Sequence, residues 1–213
     1  MSFRPPRAEP VQIAGPVGAL QALLEETPAD AARPDPRIGF GVVCHPHPLY
    51  GGTMTNKVVH TVARALQEQG LPTVRFNYRG VGQSPGVYDE GRGETDDALA
   101  VIAWGRARWP QAPLVLAGFS FGSMVALRAA PAAQPSRLIT VAPPVQRPEF
   151  GAITPPQCPW LIIQGEADEV VDYRAVVGFA GRFSPPPVLR LLAGVDHFFN
   201  GRLPELREAL LQS

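Results

Sequence analysis

A chain of 213 residues with zero formal net charge is long enough to bury one substantial core, and it lacks the charge bias that a nucleic acid or an anionic membrane surface would require. It carries no block of like charges and no window approaching the ~18 uncharged apolar residues of a membrane span, so neither nucleic acid nor membrane is expected as a partner. Residues 1–7 run into Pro and Glu rather than an apolar stretch, so no export signal and a cytoplasmic location are expected.

In chain order, residues 10–14 and 17–25 read as a hairpin at an antiparallel edge. Short apolar, β-branched runs follow at 37–44, 72–77, 112–118, 137–142, 160–164 and 187–192, the signature of strands covered on both faces. Helical periodicity alternates with them at 55–69, 94–108, 121–130, 172–183 and 204–211. In the first of these helices Val58, Val59, Val62, Ala63 and Leu66 share a face, and Gly70 closes it in a left-handed conformation. The 25 prolines fall mostly between these segments and mark loops. Alternation of strand and helix calls for right-handed crossovers. The expected fold is therefore α/β: a doubly wound, mostly parallel sheet of about eight strands, an antiparallel N-terminal edge and helices on both faces, in one domain spanning 1–213. Cys44 ends one strand and Cys158 precedes another, which puts them at opposite ends of the sheet as a buried pair of free thiols.

The chemistry concentrates where the run Leu114-Val-Leu-Ala-Gly118-Phe-Ser120-Phe-Gly122 enters a helical pattern. This is G-x-S-x-G at a strand-to-helix turn, with glycines two residues either side of the serine where side chains would block a tight crossing. An ordinary βα turn has the same composition; the strand and helix in the required places favour a nucleophile elbow. A serine hydroxyl needs a base. Of the four histidines, at 45, 47, 60 and 197, only His197 lies downstream of Ser120, in the loop after the last strand and at the sheet edge that also carries the elbow. Asp168, just past the penultimate strand, is the expected orienting acid. Glu166 and Asp172 are its alternatives, and Asp196 reads as a brace for its own loop.

The order Ser120, Asp168, His197 together with two loops carries a family resemblance. Those loops are Cys44-His-Pro-His-Pro-Leu-Tyr-Gly-Gly-Thr-Met54 and Phe76-Asn-Tyr-Arg-Gly-Val-Gly-Gln-Ser84. From about Arg37 onward the chain resembles the α/β-hydrolase superfamily, and within it the small, lidless bacterial branch related to dienelactone-hydrolase-like esterases. The resemblance implies a serine carboxylesterase-like enzyme acting through an acyl-enzyme on Ser120. It also implies an oxyanion hole made of two backbone N–H groups. One is that of Phe121; the other comes from the 45–53 loop, where Pro46 and Pro48 have no N–H and His47 and Leu49 remain. By resemblance the donor is His47.

Residues 142–160 are too few and too Pro-rich for a helical cap, so the site should be open, with Tyr50, Phe121, Pro144 and Phe198 as wall residues. The expected partner is a small-molecule ester (or thioester), no cofactor is expected, and the protein should work as a monomer or small homo-oligomer. Arg79, in a G-x-G turn that lacks the third glycine of a dinucleotide loop, reads as a structural brace. Two competing readings are a hydrolase-fold scaffold without turnover and a metal-dependent hydrolase using His45 and His47, although the H-x-H run lacks the further ligands of known metal motifs.

Overall fold

In the computed structural model, residues 7–26, 39–150 and 153–212 are described. They form an eight-stranded sheet: β1 (Ala8–Gly15), β2 (Gly18–Glu25), β3 (Phe40–Cys44), β4 (Thr73–Phe76), β5 (Leu114–Phe119), β6 (Arg137–Val141), β7 (Trp160–Gly165) and β8 (Val188–Leu192). The spatial order is β1-β2-β4-β3-β5-β6-β7-β8. The β1–β2 and β2–β4 pairs are antiparallel and every other pair is parallel, as the sequence predicts. The hairpin strands outrun the apolar pattern at 10–14 because pairing, not burial, sets their length. Pro10 sits opposite Leu23 on the edge strand, where its missing N–H costs the sheet nothing.

Among the described residues five helices cover the sheet: α1 (Lys57–Glu68), α2 (Arg92–Arg108), α3 (Phe121–Ala133), α4 (Tyr173–Ala180) and α5 (Leu203–Leu211). Strand side chains alternate between two cores. Leu116 and Ile162 pack with α2, α3 and α4 residues such as Val101, Val125 and Val176, while Ala117 and Ile163 pack with α1 and α5 residues such as Val62 and Leu206. Helix α3 runs past the expected end at 130 and includes Pro131, whose missing N–H forfeits one bond of the hydrogen-bond ladder close to the helix end.

Two readings are corrected. The apolar run at 187–192 is not covered on both faces: β8 is the last strand, and Val188 and Leu191 are exposed. Cys44 is buried, with its thiol pushed up to about 12 by burial, but Cys158 is only half-buried; both are free. Residues 37–38 of the expected third strand lie outside the described residues. Between β6 and β7 the only regular element among the described residues is a single 3-10 turn at Pro148–Phe150, so nothing there forms a cap. No helix among the described residues is long and apolar enough to cross a membrane.

Candidate active site

Ser120 occupies the turn between β5 and α3 with φ 52° and ψ −118°, a conformation that L-residues hold only when their surroundings enforce it. The enforcement is visible. The Ser120 N–H donates to the Val141 carbonyl at 2.8 Å, and its own carbonyl accepts from the Ser123 N–H at 2.8 Å. The flanking glycines are obligatory for close approach: a Cβ on Gly118 would lie 2.0 Å from the Gly122 carbonyl oxygen, and one on Gly122 would lie 2.3 Å from that of Cys44.

His197 follows β8 in the loop before α5, and its Nε2 lies 3.1 Å from Ser120 Oγ. Its Nδ1 lies 2.8 Å from Asp168 Oδ2. A carboxylate at Nδ1 assigns the proton to that nitrogen, leaving Nε2 as the acceptor that faces the serine hydroxyl. Asp168 stands just past β7. Its Oδ1 accepts from the Val170 and Val171 N–H groups at 2.9 and 2.7 Å, and its Oδ2 accepts from Gln164 Nε2 at 2.9 Å. Burial pushes the Asp168 carboxyl upward, but the hydrogen bonds from His197, Val171 and Gln164 outweigh it and hold the group below its ordinary value. The alternatives are spoken for: Glu166 is exposed, Asp172 accepts from the Arg174 N–H to cap α4, and Asp196 braces its loop through both carboxylate oxygens to Asn200.

The loop after β3 lies alongside. His47 starts a 3-10 turn at Pro48–Tyr50, and its carbonyl accepts from the Tyr50 and Gly52 N–H groups. Neither the His47 N–H nor the Phe121 N–H, the first of α3, donates to any group among the described residues. The base of the loop is pinned by the main chain of Met54, whose N–H donates to Asn77 Oδ1 at 2.9 Å and whose carbonyl accepts from Arg75 Nη1 at 2.7 Å. Arg75 in turn makes a buried double contact with the Glu25 carboxylate. Arg79 grips Asp97 of α2 through both side-chain and backbone N–H groups, the bracing role its sequence context suggests.

The same loop overturns the metal alternative. His45 is buried, its Nδ1–H donates to the Pro46 carbonyl at 2.7 Å, and its Nε2 accepts from the Tyr78 N–H. Burial drives its pKa down to about 3. The His47 ring packs on Tyr50, Tyr88 and Phe121; its Nδ1 accepts from the Leu49 N–H and its Nε2 meets the Tyr88 hydroxyl at 3.2 Å. All four ring nitrogens are engaged by protein groups, which leaves neither imidazole free to turn toward an ion.

Ser120 and His197 open onto a cleft of about 700 Å³. Tyr50, Pro144 and Phe198 line it, as does Phe121; Tyr50 is 81% exposed, so the cleft is open to solvent. Several participants escape sequence reading. Gln164 lies behind Asp168, and Glu169 accepts from the His197 N–H at 3.2 Å. Arg147 and Gln146 reach the cleft from the β6–β7 connection. No motif marks any of them. Only the adjacency of Glu169 to Asp168 and the place of Gln164 one residue from the end of β7 could have drawn attention.

This doubly wound sheet, with a serine elbow facing a buried His–Asp pair, defines the α/β serine hydrolases. Residues 49–157 match the model of the family described as serine aminopeptidase, S33, and the chain belongs to that family. It is 34% identical to the uncharacterized protein RP471 of Rickettsia prowazekii over 186 residues, covering 82% of this chain and 78% of that one. Among solved structures it is similar to XC6422 of Xanthomonas campestris, described as an α/β serine hydrolase without lid. That match has a TM-score of 0.89 and 43% identity, over 100% of this chain and 95% of the other. An α/β serine hydrolase homologue from Coxiella burnetii matches with a TM-score of 0.90 and 45% identity, over 99% of each chain.

Proposed function

We propose that this protein hydrolyses carboxylic esters or thioesters of small soluble substrates through an acyl-enzyme on Ser120. The observation that carries the reading is the 3.1 Å separation of His197 Nε2 from Ser120 Oγ, with Asp168 on the opposite ring nitrogen. In the proposed cycle Ser120 Oγ attacks the ester carbonyl and its proton passes to His197 Nε2. The tetrahedral oxyanion is held by the His47 and Phe121 N–H groups, each such donor contributing ~3 kcal/mol to transition-state stabilisation. His197 returns the proton to the leaving alcohol or thiol, and water, activated by the same imidazole, releases the acid. Asp168 fixes the tautomer and stabilises the imidazolium. No cofactor enters any step. Two free cysteines accord with action in a reducing compartment such as the cytoplasm.

The family's description raises a second reading, aminopeptidase activity. A free α-amino group asks for an acidic partner, and no Asp or Glu lines the cleft among the described residues; that favours esters.

The deciding experiment is labelling by a fluorophosphonate, read by intact mass, on wild type and Ser120→Ala. One adduct on wild type and none on the variant is expected. No adduct on folded wild type would sink the proposal in favour of a scaffold without turnover. Ester and aminoacyl-amide substrates then separate the two hydrolase readings.

A further inference from the structure

Among the described residues, Arg147 is the only Lys, Arg, Asp or Glu that lines the cleft. It sits in a tight turn, its backbone N–H donating to the Pro144 carbonyl and its carbonyl accepting from the Phe150 N–H, each at 3.0 Å. Several arginines elsewhere have carboxylate partners, among them Arg75 with Glu25, Arg79 with Asp97 and Arg207 with Glu68. The Arg147 guanidinium makes no ion pair or hydrogen bond with any described residue. Its charge nonetheless reaches the cleft, since together with burial it holds the His47 imidazole below its ordinary pKa. Around it the walls are aromatic and proline-rich: His47, Tyr50, Phe121, Pro144 and Phe198. A planar fork of donors with no acceptor among the described residues, set in a largely apolar cleft beside Ser120, matches a carboxylate better than it matches any neutral group.

Building on the esterase reading above, we infer that Arg147 receives an anionic substituent of the substrate, so that the preferred esters carry a carboxylate on either the acyl or the alcohol portion. A neutral ester leaves the guanidinium in water and gains nothing from it. An anionic one gains a charge-assisted contact with an exposed guanidinium beside aromatic and proline walls, where the attraction is stronger than in open water.

The test uses two matched pairs. The acyl arm sets the para-nitrophenyl monoester of adipic acid against para-nitrophenyl hexanoate; the alcohol arm sets para-carboxyphenyl acetate against para-carbamoylphenyl acetate. The readout is the anionic-to-neutral ratio of kcat/KM, which cancels any general effect of a substitution. In wild type at low salt, one pair is expected to show a preference of about two- to fivefold, the scale of an exposed ion pair, and the pair that shows it identifies the charged portion. Arg147→Gln should bring that ratio to about one, Arg147→Lys should retain part of it, and high salt should erode it in wild type. A wild-type ratio near one in both pairs, or a preference that survives Arg147→Gln, overturns the assignment while fluorophosphonate labelling of Ser120 leaves the esterase reading standing. A wild type that neither labels nor turns over any of the four esters overturns both.

Discussion

Gln164 Nε2 lies 2.9 Å from Asp168 Oδ2, the same carboxylate oxygen that faces His197 Nδ1 at 2.8 Å. Gln164 is fully buried one residue from the end of β7, so one side chain within the sheet helps hold the carboxylate that meets His197. In Gln164→Leu the carboxylate keeps its Val170 and Val171 donors but loses the third, and kcat should fall by about tenfold with KM little changed, about 1.4 kcal/mol, the size of one hydrogen bond to a charged group. Gln164→Glu places a like charge beside Asp168 and should cost more. Steady-state kinetics on both variants decide it; equal activity in all three proteins would show that Gln164 is only packing.

The depressed Asp168 carboxyl makes a pH prediction with a definite sign. A group whose folded pKa lies below its unfolded value contributes stability that is complete above the unfolded value and disappears as pH falls through the folded one. The Tm of wild type should exceed that of Asp168→Asn at neutral pH, and the gap should close as pH drops below about 4.

The backbone of Ser120, at φ 52° and ψ −118°, stores strain of about 1–3 kcal/mol that only glycine escapes. Ser120→Gly and Ser120→Ala should both be inactive, yet differ in stability. After subtracting the glycine's greater unfolded-state freedom, the glycine variant should be more stable by about 1 kcal/mol, a Tm higher by about 2–4 °C. Thermal unfolding of the two proteins side by side measures this; identical midpoints would mean that the elbow is unstrained.

Glu25 and Arg75 form a buried ion pair with both side chains only 4% exposed. Arg75→Met would strand the carboxylate and release the Met54 carbonyl, and should cost about 3–5 kcal/mol in urea unfolding. The double change Glu25→Leu with Arg75→Met should recover most of that, because the expense lies in the unpaired charge. Recovery of stability without recovery of kcat would separate the pair's contribution to folding from its anchoring of the His47 loop.

Much of the site is legible in the chain because its logic is local. Gly118 and Gly122 flank Ser120 at the only spacing that lets helix and strand cross, and alternating strands and helices carry the ends of β5, β7 and β8 to one edge of the sheet. That Ser120, Asp168 and His197 lie there follows from their places just past those ends. The misread strand has an equally physical cause. The 187–192 run has the composition of a buried strand, yet β8 is the outermost strand and leaves Val188 and Leu191 exposed. The H-x-H pair lacks further ligands in sequence, and in space one ring is spent bridging the ends of β3 and β4 while the other is packed among aromatics.

The sequence by itself therefore determined the order of elements, the strained serine turn and which loops could meet, since these depend on periodicity, on glycine's freedom at φ > 0 and on the fixed hand of βαβ crossovers. The tertiary structure alone decided which partners meet. Glu169 reaches the His197 N–H across 28 residues of chain, Gln164 turns its amide onto Asp168, and Arg147 enters the cleft from the β6–β7 connection without a carboxylate to meet it among the described residues. Such pairings are set by loop closure and side-chain direction in a packed interior, where every contact depends on all the others being made.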